Sequence, residues 1–387
     1  MALPDIISPD KREQEQSWYI SFLKEKEKTL ISQLKCKRIK TQKKVFFCEE
    51  GRIEYMFTYV KLEEGAVICP LRGYLGLGQY QSMCQDFKNK LVMKASRTTY
   101  QKAVEDIRDS FGFTLAKKTL NRYVLKEAGP LEITQEPRDS EKILIADSTK
   151  VRDGHGGHHE VTGVMSLDYE NNTSSLLASK VNIPSRDIAD NIDLSQFVVF
   201  VGDADLGLRN FYKDKLEFQL CHQHAITDVS FFLWKEGMKK SEREPIMKRY
   251  KAILYTLQNS TKKYWRDNKT RRLVNRIIKT RKSLNSLAAE LSTKGRFEGS
   301  RYIMEHKEHM ITAAKLALIG IKVPWTTNHA ERLMQEVGVR TKKKGMNWTE
   351  RGLRAILNLV LKRYFLPAEQ RTYKEIMAFK AKKVVEI

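Results

Sequence analysis

The sequence predicts an α/β protein: a mixed sheet with helices on both faces, preceded by a β-rich and helix-turn-helix N-terminal region. Three observations carry that prediction. The stretch EKILIADSTKVRDGHGGHHEVTGVMSLDYENNTSSLLASKVN reads as strand, Gly-rich turn, strand, Asn-Asn turn and strand, an antiparallel meander. The text after it alternates strand and helix through FVVFVGD, LGLRNFYKD and EFQLCHQH, an order that builds a sheet covered on both faces. From Val229 to about Ile321 the text is helical with few breakers, Pro245 among them.

The 387 residues include 70 Lys and Arg against 47 Asp and Glu, a formal net charge of +23 that points to a polyanionic partner. Hydrophobic residues make up 41% of the chain, enough for a real core, so disorder over the whole length is excluded. No run approaches the roughly 18 to 20 consecutive apolar residues that a bilayer span needs. The opening MALPDIISPDKREQEQ is too charged for a secretory signal, and a soluble, cytoplasmic protein without a membrane partner is expected. Five widely spaced cysteines, Cys36, Cys48, Cys69, Cys84 and Cys221, contain no C-x-x-C pair. They support neither a disulfide framework nor a zinc ribbon.

From Lys11 to about Leu34 the chain is nearly free of Gly and Pro, with Trp18, Phe22, Leu23, Leu30 and Leu34 at roughly helical spacing. An amphipathic helix packed on the rest of the chain is expected, because sustained heptads for self-pairing are absent. Between Lys43 and Leu75, KVFFC, GRIEYMFTYVKL and AVICPLRGYL form a small β-rich module. Two short helices follow, RTTYQKAVEDIRDSFG and TLAKKTLNRYVLKEAG, with Thr98 or Thr99 as the first cap and Thr114 as the second. The second helix bears Lys117, Lys118, Asn121 and Arg122, so the pair is a candidate helix-turn-helix; an ordinary helical hairpin with a solvated basic face fits equally.

After a linker around Gly129 to Pro137 come the meander, a short helix near Ser185 to Ile192, and the alternating strands and helix. In the long helical stretch the densest basic run is KKYWRDNKTRRLVNRIIKTRK, which includes Arg271, Arg272 and Arg276. Few acids stand at matching i, i+4 positions, so a phosphate-binding face is expected there and not merely a solvated one. Thr327 to Phe365 is helical, with a loop near Lys344 to Trp348, and a basic tail follows. The predicted organisation is therefore an N-terminal helix (1–40), a β-rich module (41–87), a helix-turn-helix region (88–130), a core in two parts (138–228 and 322–387), and a helical insertion (229–321).

Three acids stand where such a sheet would gather them. Asp147 closes the apolar run ILIA, Asp203 closes FVVFVG, and Glu331 lies early in the helix NHAERLMQEVG. Carboxylates at strand ends and on an adjacent helix can hold two Mg²⁺ or Mn²⁺ ions about 3.5 to 4 Å apart, an arrangement suited to phosphodiester chemistry. Taken singly, each acid reads first as a turn or cap residue and not as a catalytic one. It is the order of strand acid, meander, strand acid, basic helices and helix acid that singles them out.

VGDADLGL, with Asp203, Gly207 and Leu208, followed by CHQH, with Cys221 and His224, resembles the D-x-x-x-G-L and C-x-x-H signatures of Mutator-like DDE transposases from prokaryotic insertion sequences. NHAER, with Glu331 and Arg332, resembles their N-x-x-E-R block. The resemblance covers about Glu141 to Phe365, and the N-terminal region is similar to the DNA-binding part of some of these enzymes. It implies a ribonuclease H-like core interrupted by an all-helical insertion, with Asp147, Asp203 and Glu331 as the catalytic metal ligands. It also implies a role near the active site for Cys221 and His224, where His224 would orient a phosphate or the nucleophile. The implied activity is metal-dependent cleavage and strand transfer on double-stranded DNA, at terminal inverted repeats and at a target, by a homodimer or higher oligomer at the nucleoid. One departure stands out: Ser148 follows Asp147 where many relatives have Gly, so Asp147 is matched by strand order more than by motif.

Competing residues are also visible. Asp205 rivals Asp203, but the Gly207 and Leu208 spacing favours Asp203; Glu336 rivals Glu331 on the same helix but faces another way. His155, His158 and His159 are read as turn and strand residues and not as a ligand set. Cys221 and His224 look like half a zinc site without a second pair, so a closed tetrahedral zinc is not expected, and strand-end packing is their plain alternative. Arg332 is suited to gripping a DNA phosphate.

Overall fold

The computed structural model describes residues 9–204, 207–212, 214–342, 346–365 and 378. The chain divides into two compact units, residues 1–132 with 351–387, and residues 133–350. The protein is mixed α/β, with one three-stranded antiparallel sheet and one five-stranded mixed sheet. Among the described residues, no helix is long and apolar enough to cross a membrane.

The first unit opens with helix α1 (Pro9–Ser32), followed by β1 (Cys36–Cys48), β2 (Gly51–Leu62) and β3 (Val67–Ile68), which pair in that order. Helix α1 is packed within its unit, through the buried Tyr19, Phe22 and Leu23. The Tyr19 ring lies 6.4 Å from Phe46, and the buried Glu27 accepts from the Thr58 amide at 2.9 Å and from its hydroxyl at 3.1 Å. Strand β1 starts before the expected boundary of the β-rich module at residue 41, because its antiparallel register runs the full length of β2 and sets Cys36 opposite Leu62.

Helices α2 (Pro70–Tyr74), α3 (Gln85–Ala95), α4 (Tyr100–Phe111) and α5 (Lys117–Ala128) complete this part. The Thr99 hydroxyl caps α4 by accepting from the Lys102 amide at 3.1 Å, and Gly112 ends the helix in the left-handed region at φ 70°. Thr114 does not cap α5; Ala116 holds the N-cap position. The cause is packing: Phe113 sits 4.7 Å from the Phe47 ring and Leu115 is buried, so the chain stays extended until both are inside. Leu120, Val124 and Ala128 form the buried face of α5, while Lys117, Lys118 and Arg122 are exposed and Asn121 is half-buried.

The second unit is built on β4 (Ile143–Arg152), β5 (His158–Asp168), β6 (Thr173–Val181), β7 (Val199–Gly202) and β8 (Glu217–Leu220), with α6 (Ser185–Ala189) before β7 and α7 (Leu208–Tyr212) between β7 and β8. The strand order is β6-β5-β4-β7-β8. The meander β4-β5-β6 is antiparallel, and β7 and β8 continue the sheet parallel to β4. Alternate residues Leu144, Ala146, Phe200, Phe218 and Leu220 enter a large apolar cluster with residues of the following helices. Five helices then lie between β8 and the last helix of the unit: α8 (His222–Lys235), α9 (Lys240–Arg266), α10 (Thr270–Thr293), α11 (Phe297–Met310) and α12 (Thr312–Leu318), followed by α13 (Asn328–Thr341). Part of the basic surplus here is tied between helices, as Arg249 pairs with Glu290 at 2.8 Å and Arg281 grips Glu308 with two bonds of 2.7 and 2.8 Å.

Two expectations are corrected. The EFQLCHQH strand ends at Leu220, and His222 already begins α8. Residues 322–387 do not form one piece: α14 (Glu350–Phe365) joins the first unit from Arg351 onward, where the Asn358 side chain donates to the carbonyls of Ala128 at 3.0 Å and Leu131 at 2.7 Å. The basic tail beyond Phe365 lies outside the described residues, apart from residue 378.

His306 and His309 on α11 are both pushed down to about 4, first by burial and then by the neighbouring Arg209 guanidinium. An unfolded histidine titrates near 6.5, so between about pH 6.5 and 4 the unfolded chain binds more protons than the folded one. Stability should therefore fall as the pH drops through that window. Thermal unfolding at about pH 7 and about pH 5 should show a lower Tm at the acid end, with a smaller difference in a His306→Gln, His309→Gln double variant.

Candidate functional site

The site is assembled by strand register. Ile145 on β4 is opposite Val201 on β7, and Val201 is opposite Gln219 on β8. Two residues further along each strand's path stand Asp147, within β4, and Asp203 and Cys221, each directly after the end of β7 and β8. The Cys221 amide donates to the Gly202 carbonyl at 2.9 Å, which carries the ladder to this level. Asp147 is thus in the middle of β4, not at its end as expected, because β4 runs on along β5 as far as Arg152.

Helix α13 brings the third acid. Asp147 is paired across the sheet with Gly163, whose missing side chain leaves room for the helix: a Cβ there would come within 2.5 Å of Met334 Cε and 3.6 Å of Leu333 Cδ2. At the start of α13 the fully buried Thr327 holds the site together. Its hydroxyl lies 2.8 Å from Glu331 Oε1 and 3.4 Å from Cys221 Sγ. Donor atoms of Cys221, His224 and Glu331 all fall within 4.8 Å of one another, the one such His, Cys, Asp or Glu group among the described residues. Glu336, five residues along α13, points about 140° away round the helix and is outside this group.

His224 occupies the first turn of α8. Its pKa is raised to about 9, first by the Cys221 sulfur beside it and further by Asp203 and Asp147, against the effect of burial. Burial also acts to raise the Cys221 thiol, but His224 and the Thr327 hydroxyl outweigh it and hold the thiol below its ordinary value. Asp147 is raised, mainly by burial and also by Glu331 and Asp203, although the Ser148 amide at 2.9 Å and His224 work the other way. These mutual effects place Asp147, Asp203, Glu331 and His224 in one partly buried electrostatic neighbourhood that is rich in carboxylates.

Such a neighbourhood suits a cation, and two atoms await a partner: Asp203 Oδ1 and His224 Nδ1 are buried without a hydrogen bond. The donors fall into two overlapping sets. Asp147, Asp203 and Glu331 are oxygen donors of the kind that Mg²⁺ and Mn²⁺ prefer, but their donor atoms do not all come within 4.8 Å of one another. Cys221, His224 and Glu331 offer the sulfur, nitrogen and oxygen that suit a softer ion such as Zn²⁺, with three ligands and not a closed four.

The remaining candidates are dispersed. The Gly207 in the D-x-x-x-G-L stretch meets a steric need, since a Cβ there would come within 2.7 Å of the Ser185 hydroxyl; Asp205 lies outside the described residues. His155 and His158 are exposed, while His159 bonds the Trp348 carbonyl at 3.0 Å and the Asn182 amide at 2.8 Å, so the three serve the hairpin. Arg271 and Arg272 are exposed on α10, Arg276 is half-buried with its Nε unpartnered, and Arg332 is exposed beside Glu331. Sequence reasoning missed Thr327 and Gly163, whose only local signals are a hydroxyl four residues before Glu331 and a glycine inside a strand. A comparison with protein-family models finds no match, and neither does one with curated proteins.

Because Thr327 orients the carboxylate shared by both donor sets, Thr327→Val should weaken binding of Mn²⁺ and of Zn²⁺ by about 10- to 100-fold without unfolding the chain. Calorimetric titration of each ion, with circular dichroism as control, measures this; unchanged affinities would remove Thr327 from the site.

Proposed function

We propose that the protein is a DNA transposase of the DDE type, whose residues 133–350 form a ribonuclease H-like catalytic domain with α8–α12 as a helical insertion. The observation that carries this reading is the convergence of Asp147 on β4 and Asp203 just past the end of the neighbouring parallel strand β7 with Glu331 from α13, which follows the helices α8–α12. The meander followed by parallel strands, the net charge of +23 and the exposed basic faces support it. In this reading the protein acts on terminal inverted repeats and target DNA as a homodimer or higher oligomer, at the nucleoid of a prokaryotic cell.

Asp147, Asp203 and Glu331 would hold the divalent ions, and the unpartnered Asp203 Oδ1 is the atom most in need of one. Bound Mg²⁺ or Mn²⁺ supplies an activated water or 3′-hydroxyl and stabilises the leaving oxygen. His224, protonated at neutral pH, presents an N–H for a phosphate oxygen, and Thr327 keeps the Glu331 carboxylate aimed into the site. Arg332, exposed beside Glu331, is placed to grip a neighbouring phosphate. Helix α5, with Lys117, Lys118, Asn121 and Arg122 away from its buried face, is the element suited to a major groove.

Glu331→Gln removes a metal-binding charge with little change of shape. It should leave DNA binding intact and lower Mg²⁺-dependent cleavage and joining by about a hundred- to a thousandfold, the equivalent of several kcal/mol. Glu336→Gln should keep most activity. Cleavage without joining in the wild type would make the protein a nuclease, and binding without either would make it a transposase-derived DNA-binding protein.

The two DNA-binding faces should separate by their salt and sequence dependence. Alanine at Lys117, Asn121 and Arg122 should reduce discrimination between repeat and random DNA. Alanine at Arg271, Arg272 and Arg276 should instead flatten the slope of log affinity against log salt, by about 0.9 for each phosphate left without its cation. An unchanged slope would reduce the α10 face to a solvated surface.

A further inference from the structure

A groove of about 840 Å³ runs between α8 and α9. Its α8 wall carries Phe231 and Trp234, which are 52% and 60% exposed with ring centroids 5.7 Å apart. Single exposed aromatics are ordinary, but a pair lining one groove is a surface suited to a flat partner. Ile226 and Met247 are buried beneath it and give an apolar floor. The α9 wall contributes Lys240, Arg243, Lys248 and Lys251 against one carboxylate, Glu244, which is engaged with Lys240 in an exposed pair at 3.7 Å.

Flat apolar rings beside a row of cations match the two faces of an unpaired nucleic-acid strand, bases on one side and phosphates on the other. A duplex hides its base faces by stacking and would leave the rings unused. The groove also starts beside the candidate site: Gln223, which lines it, precedes His224, and Trp234 is about 15 Å further along the same helix. We propose that this groove holds an unpaired stretch of DNA, stacking its bases on Phe231 and Trp234 and binding its phosphates through Lys240, Arg243, Lys248 and Lys251. The choice of DNA rests on the transposase reading; the stacking itself rests on the groove.

The test compares a blunt duplex with the same duplex bearing about five unpaired thymidines on one strand, in either polarity, by fluorescence anisotropy without divalent metal. The wild type should prefer the overhang. Phe231→Ala and Trp234→Ala should each weaken overhang binding by about five- to a hundredfold and leave blunt-duplex binding unchanged, while Trp234→Phe keeps most of the preference. Equal affinity of the wild type for both probes, or equal losses on both in the alanine variants, would overturn the proposal. So would alanine variants that turn a wild-type dimer into a monomer with DNA binding unchanged, since the rings would then cover a second copy. An overhang preference in a protein that neither cleaves nor joins DNA in Mg²⁺ would sink the transposase reading alone; cleavage and joining without that preference would sink the groove alone.

Discussion

The register line Ile145, Val201 and Gln219 across three parallel strands is the constraint from which the site follows. A side chain's face is set by its parity along a strand, so a slip of one residue in any of these pairings would turn an acid or the thiol to the opposite side of the sheet. The opposite side is occupied by the apolar cluster around Leu144, Phe200 and Phe218, where an unpaired carboxylate would be expensive to bury. The hydrophobic alternation of β4 and β7 and the placing of Asp147 and Asp203 are therefore one requirement, met by one register. Gly163 extends it to the third element, since the residue opposite Asp147 must be small for α13 to lie close.

Charge gives the neighbourhood its character. Carboxylates and a thiol of lowered pKa come together where burial penalises the charge of Asp147, and the imidazolium of His224 answers them. The two donor sets share Glu331, so an ion drawn to sulfur and nitrogen and an ion drawn to oxygen would compete for the same carboxylate. Thr327, touching both Glu331 and Cys221, joins the sets mechanically as well.

Much of this arrangement was legible in local pattern. The meander is marked by its turns, β7 by an uninterrupted apolar run ending at Asp203, and α13 by Asn328 to Glu331 at its start. Features decided by partners distant in sequence were not legible. Asp147 reads as a strand end because ILIA stops there, yet pairing with β5 carries the strand on to Arg152. Ala116 displaces Thr114 as a cap because Phe113 must reach Phe47 and Phe87, and α14 leaves the second unit because Asn358 satisfies carbonyls at the end of α5. Thr327 and Gly163 escaped notice for the same reason: a hydroxyl and a hydrogen acquire meaning only from what stands opposite them.

Well over a hundred residues, among them α7, β8 and the helices α8–α12, separate Asp203 from Glu331. The ribosome adds roughly 5–20 residues per second, so Asp203 leaves it about 6 to 25 seconds before Glu331, and Asp147 earlier still. During that interval the nascent chain holds Asp147, Asp203 and Cys221 with no Glu331 or Thr327 to complete the cluster. A polypeptide released early anywhere in α8–α12 carries an incomplete ligand set for either kind of ion. Completion of the site thus requires that translation has passed the helical region, whereas a site made of neighbouring residues would be complete as soon as they emerged.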